Sequence, residues 1–165
     1  MKAGTLEKLF SLLGHQNEEI PTSLYDFPPE KIREESCSLI INNPIYLEKI
    51  SILMKSDSNM VILNIFIYLK VLGTYNVLFA STLIEYGVFD ELLNLLYCED
   101  EDVLKITLAT TKTLLDILPF NSENKSTIFR KFQELDILQK LRELREKYYD
   151  DYDILELLNL LRLGL

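Results

Sequence analysis

The sequence predicts an all-α protein: a right-handed α-solenoid of about three stacked helical units behind an amino-terminal helical cap. Three observations predict it. Two stretches superpose when one is shifted by 43 positions, so that Tyr46 falls on Phe89, Ile50 on Leu93, Leu53 on Leu96, Met60 on Val103 and Leu72 on Leu115. Apolar residues recur at three- and four-residue steps, the period of a helix with one buried face. A content of 48% hydrophobic and 26% charged residues in a chain of 165 supplies one continuous core, so residues 1–165 form a single domain. Units of this length each bury one face and are stable only when stacked, which makes a binding surface the default function.

The elements follow in order. Leu6, Leu9, Phe10 and Leu13 predict a short amphipathic helix over Thr5 to Leu13, capped by Thr5 and stopped by Gly14. His15 to Pro29, with Pro21, Pro28 and Pro29, reads as a loop. Pro29 opens a helix to about Asn42, and Asn42, Asn43 and Pro44 interrupt it. A helix from Ile45 to Lys55 is followed by Ser56, Asp57 and Ser58, whose side-chain oxygens can cap the next helix, Asn59 to about Leu72. That helix is apolar nearly all round, as expected of a segment covered on both sides. Gly73 ends it. A helix from about Asn76 to Tyr86 stops at Gly87, and Val88 to Leu96 then carries Phe89, Leu92, Leu93 and Leu96 on one face. Glu99, Asp100, Glu101 and Asp102 precede a helix from Val103 to Leu118, placed to favour the positive end of its dipole.

A third unit is read from Ser126 to Leu135, from Ile137 to about Tyr148 with Asp136 as its cap, and from Ile154 to Leu163. Its offset from the second unit drifts from 48 to 51, absorbed between Lys147 and Asp153. The expected division is therefore a cap with a Pro-containing loop over 1–43, a first repeat region over 44–86, a second repeat over 87–125 and a carboxyl-terminal repeat over 126–165.

At Glu85 to Asp116 the sequence EYGVFDELLNLLYCEDEDVLKITLATTKTLLD resembles an armadillo repeat: a short helix, a Gly, an LLxLL-type helix, an acidic turn, then a long third helix. HEAT-type repeats share this outline. The pattern is similar to the carboxyl-terminal repeats of importin-alpha proteins, and DILQKLRELREKYYDDYDILELLNLL resembles their final unit. In that family, Trp and Asn ladders on successive third helices clasp basic cargo peptides. Aligned by the repeat, Phe66 and Ala109 stand at the Trp places, Lys70 and Thr113 at the Asn places, and the chain has no Trp. The resemblance implies a repeat scaffold and does not carry over the cargo site.

Composition narrows the partners. With 17 Lys and Arg against 26 Asp and Glu, the net charge of -9 repels phosphate backbones, so no direct nucleic-acid binding is expected. No apolar run reaches membrane length, so no membrane partner is expected. Two cysteines, Cys37 and Cys98, and no charged-then-apolar leader at Met1 point to a cytoplasmic or nuclear location. His15 is the one histidine, the two cysteines lack zinc spacing, and the five glycines are isolated, so neither an enzyme nor a cofactor nor a metal site is expected.

Three surfaces stand out as candidates for partner binding. Glu99, Asp100, Glu101 and Asp102 belong to a stretch from Glu85 to Leu104 with seven acids and no Lys or Arg, suited to steering a basic segment or to solvated caps and turns. Tyr148, Tyr149 and Tyr152 in KYYDDYD supply aromatic anchors, or else pack within a turn. Lys105, Lys112, Thr113 and Asp116 mark the exposed side of the helix before Leu118. The expected function is a non-enzymatic adaptor that docks another protein through a basic segment. The alternatives are a nuclear-import adaptor or regulator, a nucleotide-exchange co-chaperone of Hsp70, and a structural subunit of a larger assembly such as a ribosome-associated complex.

Overall fold

The computed structural model describes residues 30–73, 76–118, 122–148 and 152–162. Among them are nine α-helices and no strand. The expected helix Thr5 to Leu13, the loop before Pro29 and Tyr149 lie outside the described residues.

Helix α1 (Glu30–Ile41) buries Ser36, Cys37 and Ile40. Asn43 then caps α2 (Pro44–Met54), its side-chain oxygen accepting the Ile45 N–H at 3.4 Å. Pro44 begins this helix, one residue earlier than expected, because a first-turn residue has no intrahelical use for an N–H. In the following turn Ser56 Oγ accepts the Ser58 N–H at 3.2 Å. Helix α3 (Asn59–Gly73) is covered on most sides, with Ile65, Phe66, Leu69 and Leu72 all buried.

Asn76 caps α4 (Val77–Glu85) by accepting the Phe79 N–H at 3.1 Å. Gly87, at φ 74°, turns the chain into α5 (Val88–Asn94), a left-handed conformation that glycine adopts without steric cost. The expected helix to Leu96 tightens instead into a 3₁₀ turn, Leu95–Tyr97. Helix α6 (Glu101–Ile117) begins two residues before the expected Val103, because Asp100 Oδ1 accepts the N–H groups of Asp102 and Val103, both at 3.0 Å. Glu101 and Asp102 thus form its first turn. Thr107 and Thr113 return their hydroxyls to the carbonyls of Val103 and Ala109 at 2.7 and 2.8 Å, which satisfies them within the helix.

Helix α7 (Ser122–Glu134) starts four residues before the expected Ser126. Asp136, expected to cap α8 (Ile137–Lys147), makes no side-chain cap bond. It takes the left-handed conformation, φ 51°, at the place where Gly87 stands before α5. Helix α9 (Tyr152–Arg162) closes the described chain.

Packing follows a simple order. Helices adjacent in the chain pack on each other, α6 and α7 excepted, and so do four pairs three places apart: α1 on α4, α2 on α5, α3 on α6 and α6 on α9. Helix α8 meets the 3₁₀ turn that prolongs α5. One apolar cluster runs from Cys37 to Leu158, each fully buried Leu, Ile or Phe side chain contributing roughly 1.5–3 kcal/mol. Polar ties cross between helices as well, two of them at these seams and one between α5 and α7. Lys55 pairs with Glu91 at 2.7 Å, Asn59 donates to Asp100 Oδ2 at 2.6 Å, and Lys131 reaches both Asp90 oxygens at 2.5 and 2.6 Å. Beside the last pair, the rings of Phe89 and Phe132 lie 6.5 Å apart. Within the first three helices, the Cys37 thiol donates to the Leu72 carbonyl at 3.7 Å.

Candidate functional site

Helix α6 organises the surface on which the predicted residues fall. At its amino end, the 3₁₀ turn, Cys98 and Glu99 face α8 across a groove of about 480 Å³. Tyr97 and Tyr148 supply its aromatic rings, Glu99 and Glu143 its carboxylates, and Leu104 and Leu144 its apolar lining. Both rings carry cations: Lys140 Nζ lies 5.2 Å from the centre of Tyr97, and Lys147 Nζ 5.0 Å from that of Tyr148. A ring face attracts an ammonium through its quadrupole. Tyr97 is anchored by donating its hydroxyl to the Leu135 carbonyl at 2.7 Å. Desolvation raises the Tyr97 pKa, with the charges of Asp136 and Glu143 adding to the shift. Lys147 is also held above its ordinary value, first by its bond to the Tyr148 hydroxyl and then by the charges around it, including Glu101 and Glu99.

The four consecutive acids separate into different jobs. Asp100 caps α6 and bonds Asn59, whereas Glu101 pairs with Lys105 at 2.6 Å, which lowers the pKa of Glu101 and raises that of Lys105. Glu99 borders the groove and Asp102 is exposed. Asp90 and Glu91, from the same acidic stretch, are engaged by Lys131 and Lys55.

Further along α6, Lys112 bridges Asp116 at 2.9 Å and Glu156 of α9 at 2.7 Å. Glu156 also accepts the Tyr152 hydroxyl. These contacts hold Lys112 above the ordinary lysine range, Glu156 chiefly and Asp116 next, and hold Glu156 below the ordinary carboxylate range. Of the predicted residues, Glu99 and Tyr148 therefore meet at the groove, while Lys112, Asp116 and Tyr152 meet at the α6–α9 seam. Tyr97, Lys140, Glu143 and Glu156 complete these clusters. None of these four stood out in the sequence as a binding residue.

Phe66, at the place where importin-alpha proteins carry a Trp, is 0% exposed and belongs to the core. Cys37 is sealed as well, and burial pushes its thiol up to about 11. Among the described residues, no group of three His, Cys, Asp or Glu side chains could hold a metal ion, and no helix is long and apolar enough to cross a membrane. Comparison with protein-family models, curated proteins and solved structures finds no match.

Proposed function

We propose that the chain is a non-enzymatic docking scaffold, an armadillo-type right-handed solenoid that holds a partner protein through a basic segment in the cytosol or nucleus. One observation carries this reading: α1, α2, α3 and α6 each pack on the helix three places further along the chain, and the 3₁₀ turn after α5 meets α8. In this reading the layers are residues 30–73, 77–117 and 122–162, one helix out of register with the division expected from the 43-residue overlap. Stacked rigid helices offer a preformed surface, so little ordering entropy opposes binding.

The groove between the 3₁₀ turn and α8 is the docking site in this proposal. What favours a basic ligand there is that two tyrosine rings already attract ammonium groups, beside the carboxylates of Glu99 and Glu143. An incoming Lys or Arg exchanges with Lys140 or Lys147 over the same rings. The ladder mechanism of importin-alpha is not part of the proposal, because Phe66 lies inside the core.

The test is fluorescence anisotropy with a Lys- and Arg-rich peptide and an acidic peptide of equal length, at low and high salt. The basic peptide binds, high salt weakens it, and a Glu99→Lys, Glu143→Lys double variant weakens it about tenfold, ~1.4 kcal/mol. Equal binding of both peptides, or indifference to the double variant, overturns the proposal.

A further inference from the structure

Several of the exposed large apolar side chains lie near α2. Ile45 is 51% exposed, Ile52 62% and Tyr86, at the end of α4, 51%. Helix α2 packs on α1, α3 and α5, burying Tyr46, Leu47, Ile50 and Met54. Its remaining side is a stripe of four residues, Ile45, Glu48, Lys49 and Ile52, at i, i+3, i+4 and i+7, the spacing of one helical face. Beside Ile45 opens a groove of about 570 Å³, formed with Pro44, Leu47, Glu48, Ser51 and Tyr86.

The order of this stripe is its informative property. Read forward it runs apolar, acidic, basic, apolar; read backward it runs apolar, basic, acidic, apolar. Such a face complements itself when two copies lie antiparallel about a twofold axis between Glu48 and Lys49. Ile45 then meets Ile52 of the second copy, Glu48 meets Lys49, and each contact occurs twice, as an isologous interface requires. A parallel arrangement sets Glu48 on Glu48 and loses the pairing. Lys49 keeps its ammonium beside its own helix, 5.6 Å from the Tyr46 ring centre. Lys55, by contrast, is already tied to Glu91.

We infer that α2 is a homodimerisation face, in which two copies of this chain pack antiparallel through Ile45, Glu48, Lys49 and Ile52. The Ile52 side chain of each copy enters the groove beside Ile45 and Tyr86 of the other. An 11-residue helix is only about 16 Å long, so the contact belongs with small, reversible interfaces and the dimer forms in a concentration-dependent way. The face is separate from the groove at α8 and does not depend on the function proposed for it.

Sedimentation velocity over a concentration series from about 1 μM to about 1 mM tests the inference. The wild-type chain moves from its 19.3 kDa monomer towards twice that mass. Ile52→Asp stays monomeric with an unchanged helical circular dichroism spectrum, because the side chain it replaces is already in water. Glu48→Lys and Lys49→Glu each raise the dissociation constant about tenfold or more, since each sets like charges together. The double variant Glu48→Lys, Lys49→Glu, with its complementarity restored in reversed order, recovers to within about threefold of wild type. A wild-type monomer at every concentration, a dimer indifferent to Ile52→Asp, or a double variant no better than the singles overturns it. Basic-peptide binding by Ile52→Asp, measured alongside, separates this outcome from the fate of the docking proposal.

Discussion

Ile45 and Val88 hold the same place, 43 residues apart, in α2 and α5, yet Ile45 is 51% exposed and Val88 1%. The two helices share their inward face, Tyr46 matching Phe89 and Ile50 matching Leu93, all buried. They differ in neighbours. Helix α5 has α2 against it, and α8 packs on its 3₁₀ continuation; the corresponding outer side of α2 keeps Ile45 and Ile52 in water. Burial in this chain is therefore a property of a helix's neighbours as much as of residue type.

The sharpest way to break that comparison is to put one charge at both places. Val88→Asp buries an unpaired carboxylate and destabilises the fold by more than about 4 kcal/mol. Ile45→Asp, measured in dilute solution, changes stability by less than about 0.5 kcal/mol. Urea unfolding of the two variants checks the pair, and equal effects would remove the distinction. A smaller effect separates the starts of α3 and α6. Asp100 both caps α6 and bonds Asn59 at the start of α3, so Asp100→Ala costs about 1 kcal/mol and raises hydrogen exchange at Asp102 and Val103.

The gentlest test uses pH and compares the α3–α6 seam, with its apolar contacts, against the α6–α9 seam with its Lys112–Glu156 pair. Lys112 first, then Tyr152, hold the Glu156 carboxyl below its ordinary range. Its contribution is therefore complete at neutral pH and is lost as pH falls through that depressed value. Acidification should lower hydrogen-exchange protection in α9 ahead of α3, and Glu156→Gln should flatten the response of α9. An α9 response unchanged in Glu156→Gln would show that other groups govern it.

Much of the secondary structure was legible in local chemistry. The helices capped by Asn43 and Asn76 begin within one residue of the starts that were read, Gly87 turns left-handed where a stop was read, and α3 is apolar on most sides because it is covered on most sides. The misses have local causes too. Ser122 to Lys125 carry no apolar period, so nothing in the sequence placed them in α7, and a single αL aspartate is hard to tell from a capping one. Asp100 was read among four acids of equal standing; only its β-region backbone distinguishes it as the cap. The candidate surfaces were less legible, because their geometry depends on partners far along the chain. Asp90 and Asp100 each bond a residue 41 positions away, and charge patterning sees neighbours three or four residues apart. The all-α class is accordingly plain from periodicity, while the clustering of Glu99 with Tyr148 and of Lys112 with Glu156 required tertiary structure.

The two cysteines sit in contrasting surroundings, and this gives the chain a built-in clock. Cys98 borders an open groove, whereas Cys37 is enclosed, with its sulfur on the Leu72 carbonyl and its thiol held protonated. An alkylating reagent consumes Cys98 at a rate set by its own reactivity, but it reaches Cys37 only when α1 parts from α3. The slower of two mass increments thus times the breathing of the first three helices, with no label introduced.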